Sequence, residues 1–218
     1  MEKDGVRKRD IIKKVIAYMT LGIDVSRLFT DMIMAIETKD IVVKKMVYHY
    51  LSNYAHMNPD LAIMCINTLI RDCDNEDPMV RGLALRSLCS LRLESILEYV
   101  ERPLEKSLTD LSAYVRKTGV MGVLKVYNLR RSVIERGAYI DQLYKMLEDA
   151  DASVVSNVIV VLEEIYQEKG GITLNHASLM QLMGRMGNTK HIHRFILVHV
   201  HSFPCTSRTC IVTRTDTN

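Results

Sequence analysis

Apolar residues recur along this chain at helical spacing, in one template that appears four times. Val80, Leu83, Ala84, Ser87, Leu88 and Leu91 fall at i, i+3, i+4, i+7, i+8 and i+11, which is one face of an amphipathic helix. The same spacing gives Val43, Met46, Val47, Tyr50, Leu51 and Tyr54 upstream. Downstream it gives Val115, Thr118, Gly119, Gly122, Val123 and Val126, and then Val154, Asn157, Val158, Val161, Leu162 and Ile165. A second helical stretch follows each stripe: "NPDLAIMCINTLIRDC" from Asn58, "LESILEYVERPLEKSL" from Leu93, "GAYIDQLYKMLED" from Gly137 and "NHASLMQLMGRM" from Asn175. A unit of two helices repeating every 35 to 39 residues cannot cover its own apolar face and must stack on its neighbours. The pattern predicts an all-α fold, an α-solenoid of HEAT/armadillo-like antiparallel helix pairs wound as a right-handed superhelix.

Local signals agree with these elements. Asp77-Pro78 and Asn58-Pro59 each place a capping side chain before a proline at the first helical position, where a missing N–H costs nothing. Ala84, Ser87, Gly119 and Gly122 are small at matching places, so close helix packing is expected there despite the poor helix propensity of glycine.

Composition narrows the class. With 218 residues, 48% of them apolar, the chain can bury a sizeable core, and four Pro, ten Gly and thirteen Met favour helices over a turn-rich β fold. A net charge of +3 is too small to argue for nucleic acid by itself, so any electrostatic case must be local. Cys65, Cys73, Cys89, Cys205 and Cys210 are odd in number and form no framework of close pairs, which points to a reducing compartment. The opening "MEKDGVRKRDIIKK" is charged where a signal peptide needs an apolar core, and no apolar run approaches the ~20 residues of a membrane span, so membrane contact is expected to be peripheral.

Charged residues mark the repeat a second time. Lys44, Arg81 and Arg116 stand one residue after the start of three stripes, while Val155 breaks the series in the fourth. Asp40 and Asp77 precede the first two cations by four residues, a favourable acid-to-base spacing on a helix. These positions read as a charge ladder that sets repeat register rather than as a ligand site.

Sites of chemistry are sparse. Nucleophile-elbow, phosphate-loop and zinc-protease motifs are absent from the sequence, and Asp72/Asp74 and Glu163/Glu164 read as solvated carboxylates. His191, His193, His199, His201, Cys205 and Cys210 have zinc-like donor types, but their spacing matches no common structural zinc site, so no metal or cofactor is assigned. One basic cluster remains: Lys3, Arg7, Lys8, Arg9, Lys13 and Lys14, behind which Ile12, Val15, Ile16 and Met19 form a docking stripe. It reads either as a solvated first-helix cap or as a contact with anionic lipid at a cytosolic membrane face, worth about 1 kcal/mol per basic residue.

Several segments are recognisable as words. "KKVIAYMTLGIDVSRLF", "KKMVYHYLSNYAHMNPDLAIMCINTLIRDC", "DPMVRGLALRSLCSLR", "EYVERPLEKSLTDLSAYVRKTGVMGVLKVY" and "VVLEEI" resemble successive helices of the N-terminal trunk of the β-adaptins, large subunits of heterotetrameric vesicle-coat adaptors. The resemblance runs over roughly residues 8 to 186, and "YMTLGIDVS" with "RGLALRSLCSLR" is nearer to the β subunit of the fourth adaptor complex than to those of the first two. It implies a non-enzymatic scaffold whose partners are a second large adaptin, a medium subunit and a small subunit. It further implies peripheral association with Golgi and endosomal membranes, transmembrane cargo sorted into vesicles, no nucleic acid and a truncated trunk. The alternative is a HEAT-type solenoid that binds nucleic acid or nuclear-transport partners. The expected organisation is a solenoid over residues 1–187 and a divergent, poorly ordered tail over 188–218, whose polar and β-branched end "TSRTCIVTRTDTN" has no partner strand in view.

Overall fold

The computed structural model describes residues 2–166, 172–175 and 209–212. Ten α-helices occupy the described residues: α1 Glu2–Thr20, α2 Phe29–Met34, α3 Ile41–Tyr54, α4 Pro59–Cys73, α5 Pro78–Leu88, α6 Leu97–Leu108, α7 Ala113–Leu129, α8 Arg131–Arg136, α9 Tyr139–Lys145 and α10 Ala152–Tyr166. Two strands follow, β1 Ile172–Asn175 and β2 Thr209–Val212. The chain divides into two compact units, Met1–Lys106 and Ser107–Asn218.

The four apolar stripes become α3, α5, α7 and α10, and in each the residues at i, i+4, i+7 and i+8 are buried. Equivalent helices lie side by side, α3 against α5 in the first unit and α7 against α10 in the second, as stacking of incomplete helix pairs requires. In the first unit α1 and α2 also pack on α3, and α4 packs on α5; in the second α8 packs on α7, and α9 packs on α8 and on α10. The fold is an all-α solenoid of helix pairs.

Chain chemistry sets the helix ends. Asp40, Asp77 and Asp151 occupy the same repeat position and accept backbone N–H bonds from Val42, Met79 and Ser153 at 2.9, 2.8 and 2.8 Å. These bonds satisfy donors that a first helical turn leaves open. Asn58 departs from the expected cap: its side chain makes no capping bond, and its carbonyl accepts from Ala62 instead. At the end of α1, Gly22 takes φ +80°, and Ile23 N–H reaches back to the Tyr18 carbonyl at 3.0 Å, which is the geometry of a glycine-closed helix. Pro103 lies inside α6, where it cannot donate to the Tyr99 carbonyl; Tyr99 is exposed, so water can take that acceptor.

Gly119 is buried on α7 against the end of α6, within the second unit. A Cβ there would collide with Ser107 Oγ and stand 3.1 Å from Ser107 Cβ and 3.2 Å from Leu108 Cδ2. Helix propensity alone favours Gly119→Ala by about 1 kcal/mol, but overpacking of a closed contact costs about 1–3 kcal/mol. The substitution is therefore expected to lower the melting temperature, and Gly119→Val to lower it further. A rise in melting temperature for Gly119→Ala would show that the contact yields freely.

Strand β2 corrects the reading of the tail as lacking a partner. It pairs antiparallel with β1, Ile172 opposite Val212 and Asn175 opposite Thr209. The partner lies far upstream, in a β-branched "ITLN" that helical periodicity passes over. Residues 176–208, with most of the second helical stretch expected from Asn175 and the cluster His191 to Cys205, lie outside the described residues.

Candidate functional site

Among the described residues, side-chain chemistry concentrates in two places, the cations at repeat positions and the basic first helix. On α3, Lys44 is 7% exposed and its ammonium binds Asp72 near the end of α4. Tyr48, one turn further along α3, donates its hydroxyl to the same Asp72 oxygen. Burial, and next the hydrogen bond to Asp72, push the Tyr48 phenol well above its ordinary pKa, so it remains a neutral donor.

The expected intrahelical pairing of Asp40 with Lys44 is replaced by tertiary contacts. Asp40 is fully engaged otherwise: Oδ1 caps α3 and Oδ2 accepts Arg9 Nε at 2.8 Å and Nη2 at 2.5 Å from α1. Lys44 turns away from it to α4. A second correction concerns Asp72, which is 4% exposed and part of the core rather than solvated. Its neighbour Asp74 is exposed and pairs with Lys106.

Arginine at the repeat position works differently from lysine. Arg81 on α5 sends Nη1 back to the carbonyls of Asn75 and Glu76, both at 2.8 Å. Arg116 on α7 repeats this on the carbonyls of Asp110 and Leu111, at 2.8 and 2.9 Å. Its other nitrogens grip Asp149, Nε to Oδ2 at 2.7 Å and Nη2 to Oδ1 at 2.9 Å. A planar fork with five donors can serve a turn and a carboxylate together; an ammonium cannot present that geometry. Asp77 caps α5 through Met79 N–H. At the fourth position Val155 is fully buried. The ladder ties elements within each unit together.

Two carboxylates held by arginine, Asp149 and Asp40, titrate below their ordinary range. Burial opposes the charge on Asp149 and on Asp40, but the hydrogen bonds from Arg116 and from Arg9, with backbone N–H bonds, outweigh it and lower both pKa values. A carboxyl group whose folded pKa is depressed adds stability above its unfolded value of about 4, and that stability is lost as pH falls through the folded value. Unfolding free energy is therefore expected to decline with acidification from about pH 4 downward. The decline should be shallower in Asp149→Asn, as denaturant titrations at stepped pH would show; an unchanged slope would remove Asp149 from the account.

The basic cluster separates on α1. Ile12 and Val15 bury the inner stripe, with Ile16 and Met19 half-buried. Arg9 is committed to Asp40, and Lys13 lies 3.5 Å from Asp10. Arg7, Lys8 and Lys14 are exposed, and among the described residues none of them makes an ion pair. The side chain of Lys3 lies outside the described residues.

No catalytic constellation gathers among the described residues: no group of three or more His, Cys, Asp or Glu is placed to hold a metal ion. No described helix is long and apolar enough to cross a membrane. Cys65 and Cys89 are buried and Cys73 is half-buried, all as free thiols, and burial pushes the Cys65 thiol up to about 11. The repeat-position polar groups described above serve packing within each unit.

Comparison with known proteins decides the family. Residues 2–200 match the Adaptin N terminal region family. The chain belongs to the β-adaptins. It is 44% identical over 186 residues to AP-4 complex subunit beta-1 of Mus musculus, covering 85% of this chain and 25% of that protein. Identity is 52% over 160 residues to Beta-adaptin-like protein A of Arabidopsis thaliana, covering 73% and 19%. It is 38% over 180 residues to AP-1 complex subunit beta-1 of Homo sapiens, covering 81% and 19%. This adaptin chain thus spans about a quarter or less of the length of these relatives. Among solved structures, the full-length AP-3 complex in an intermediate open conformation, itself a homology model, matches with TM-score 0.64 at 21% identity over 82% of this chain and 30% of that one. A designed armadillo repeat protein matches with TM-score 0.55 at 15% identity over 88% of both chains. Both support the helical-repeat fold.

Proposed function

We propose that this adaptin segment is a non-enzymatic scaffold of a vesicle-coat adaptor complex. It would act with a second large adaptin, a medium subunit and a small subunit in sorting transmembrane cargo at Golgi and endosomal membranes. The observation that carries the reading is the family match over residues 2–200 on a chain whose repeats stack as a solenoid. The 44% identity to an AP-4 β subunit, against 38% to an AP-1 β subunit, favours the fourth complex. Membrane association is peripheral and comes through the assembled complex. Since Arg9 and Lys13 are engaged within α1 and α3, any direct contact with anionic lipid from the described part of the basic cluster rests on Arg7, Lys8 and Lys14.

The nucleic-acid alternative loses its groove in this geometry. Lys44 is buried against Asp72, and Arg81 and Arg116 are turned onto backbone carbonyls, so the repeat cations do not form a solvent-facing basic track. The test is affinity purification of the tagged chain from its own cells, at low and moderate salt, with mass spectrometry of the captured proteins. Recovery of another large adaptin with medium and small subunits supports the reading; recovery of chaperones alone overturns it for this chain.

A further inference from the structure

Helices α1 and α2 enclose a groove of about 420 Å³ within the first unit. Ile11, Val15, Leu28 and Met32 make its apolar wall; exposed Arg7 and Lys8 stand over it from α1, and exposed Asp31 from α2. Ile11 is 53% exposed over the groove, and Val6, Tyr18, Leu21, Ile23 and Met34 are exposed on the same first two helices and the turn between them. The volume lies in the range of formed ligand clefts, and its apolar walls with a few charges at the margin suit one apolar helix face.

We propose that this groove seats a short amphipathic helix of a partner protein. Two large apolar side chains one turn apart enter the groove, a carboxylate meets Arg7 and Lys8, and a basic residue meets Asp31. The charges choose the occupant. A flat anionic lipid surface would gain from Arg7 and Lys8 but would be repelled by Asp31 and by exposed Asp10 on the same helix, and it would leave the concave wall unfilled. A peptide helix carrying both signs satisfies both margins and fixes its own direction in the groove. Arg7 and Lys8 make no ion pair with the described residues, so a partner carboxylate displaces no described bond.

The test uses the purified full chain. A phage-displayed library of helical peptides is selected on the wild-type chain and counter-selected on Ile11→Asp, a change at an exposed position that circular dichroism can confirm as folded. Selected peptides are then synthesised with a fluorescent label and measured by anisotropy. The expected result is a shared pair of apolar residues three or four apart with an acidic residue towards one end, and affinity about tenfold weaker for Arg7→Glu/Lys8→Glu. Exchanging the peptide's acidic residue for lysine should restore binding to that charge-reversed chain. Failure to enrich any peptide that distinguishes wild type from Ile11→Asp overturns the proposal. So does binding of the wild-type chain, but not the variants, to vesicles of anionic phospholipid without peptide discrimination, which assigns the surface to lipid. A concentration-dependent dimer in sedimentation that Ile11→Asp abolishes assigns it to a second copy and equally overturns the partner helix.

Discussion

Asp72→Ala is expected to lower the unfolding free energy by about 3–5 kcal/mol, the largest loss among the ladder substitutions. The reason is where the substitution leaves its former partners. Lys44 is 7% exposed and Tyr48 fully buried, so an ammonium and a hydroxyl that shared one carboxylate would both remain in the core without it. Removing one member of a buried pair strands the other charge, whereas removing both with apolar residues of similar volume is often near neutral. The double variant Lys44→Met/Asp72→Leu should therefore recover most of the loss, and Tyr48→Phe, which spares the ion pair, should cost only about 1 kcal/mol. Urea denaturation of wild type and these three variants, followed by circular dichroism, gives the comparison directly. A single-variant loss below about 1 kcal/mol would mean that water reaches the site and screens it as at a surface.

The repeat was legible because its period is written in buried positions. Val43, Val80, Val115 and Val154, with Val47, Ala84, Gly119 and Val158 four residues on, are buried in every copy. The position at i+3, held by Met46, Leu83, Thr118 and Asn157, is half-buried throughout, which explains why two copies tolerate a polar residue there. Asp72 was misread as solvated although a signal lay in the sequence. It continues the stripe Ala62, Cys65, Ile66 and Leu69 of α4, so the helical period already placed it on the buried face.

Partners across the fold were not legible in the same way. The four-residue spacing of Asp40 and Lys44 predicts a pair on one helix, yet the capped turn occupies one Asp40 oxygen and Arg9 the other. Which helix supplies Arg9, or which carboxylate receives Lys44, depends on how helices pack, and no local pattern encodes it. The groove of the first unit was hidden for a like reason: Ile11 lies off the stripe of Ile12 and Val15, and only the approach of α2 makes a wall beside it.

Arg116→Ala should cost about 3 kcal/mol and should do so through geometry as well as charge. Its guanidinium joins three segments of the second unit: α7 itself, the turn before it through the Asp110 and Leu111 carbonyls, and the turn after α9 through Asp149. The two side chains are 18% and 8% exposed, so truncation leaves Asp149 an almost enclosed carboxylate without its cation. Leu111, by contrast, is fully open to solvent, and water can replace the bond to its carbonyl at small cost. Arg116→Lys separates the two contributions. It keeps the charge but loses the fork that grips both Asp149 oxygens while still reaching the turn, so it should recover less than half of the loss. Stability equal to wild type in Arg116→Lys would make charge alone sufficient. The repeat-position arginine would then be exchangeable with the lysine that stands at Lys44, and the difference between a clamped turn and a buried pair would have no energetic weight.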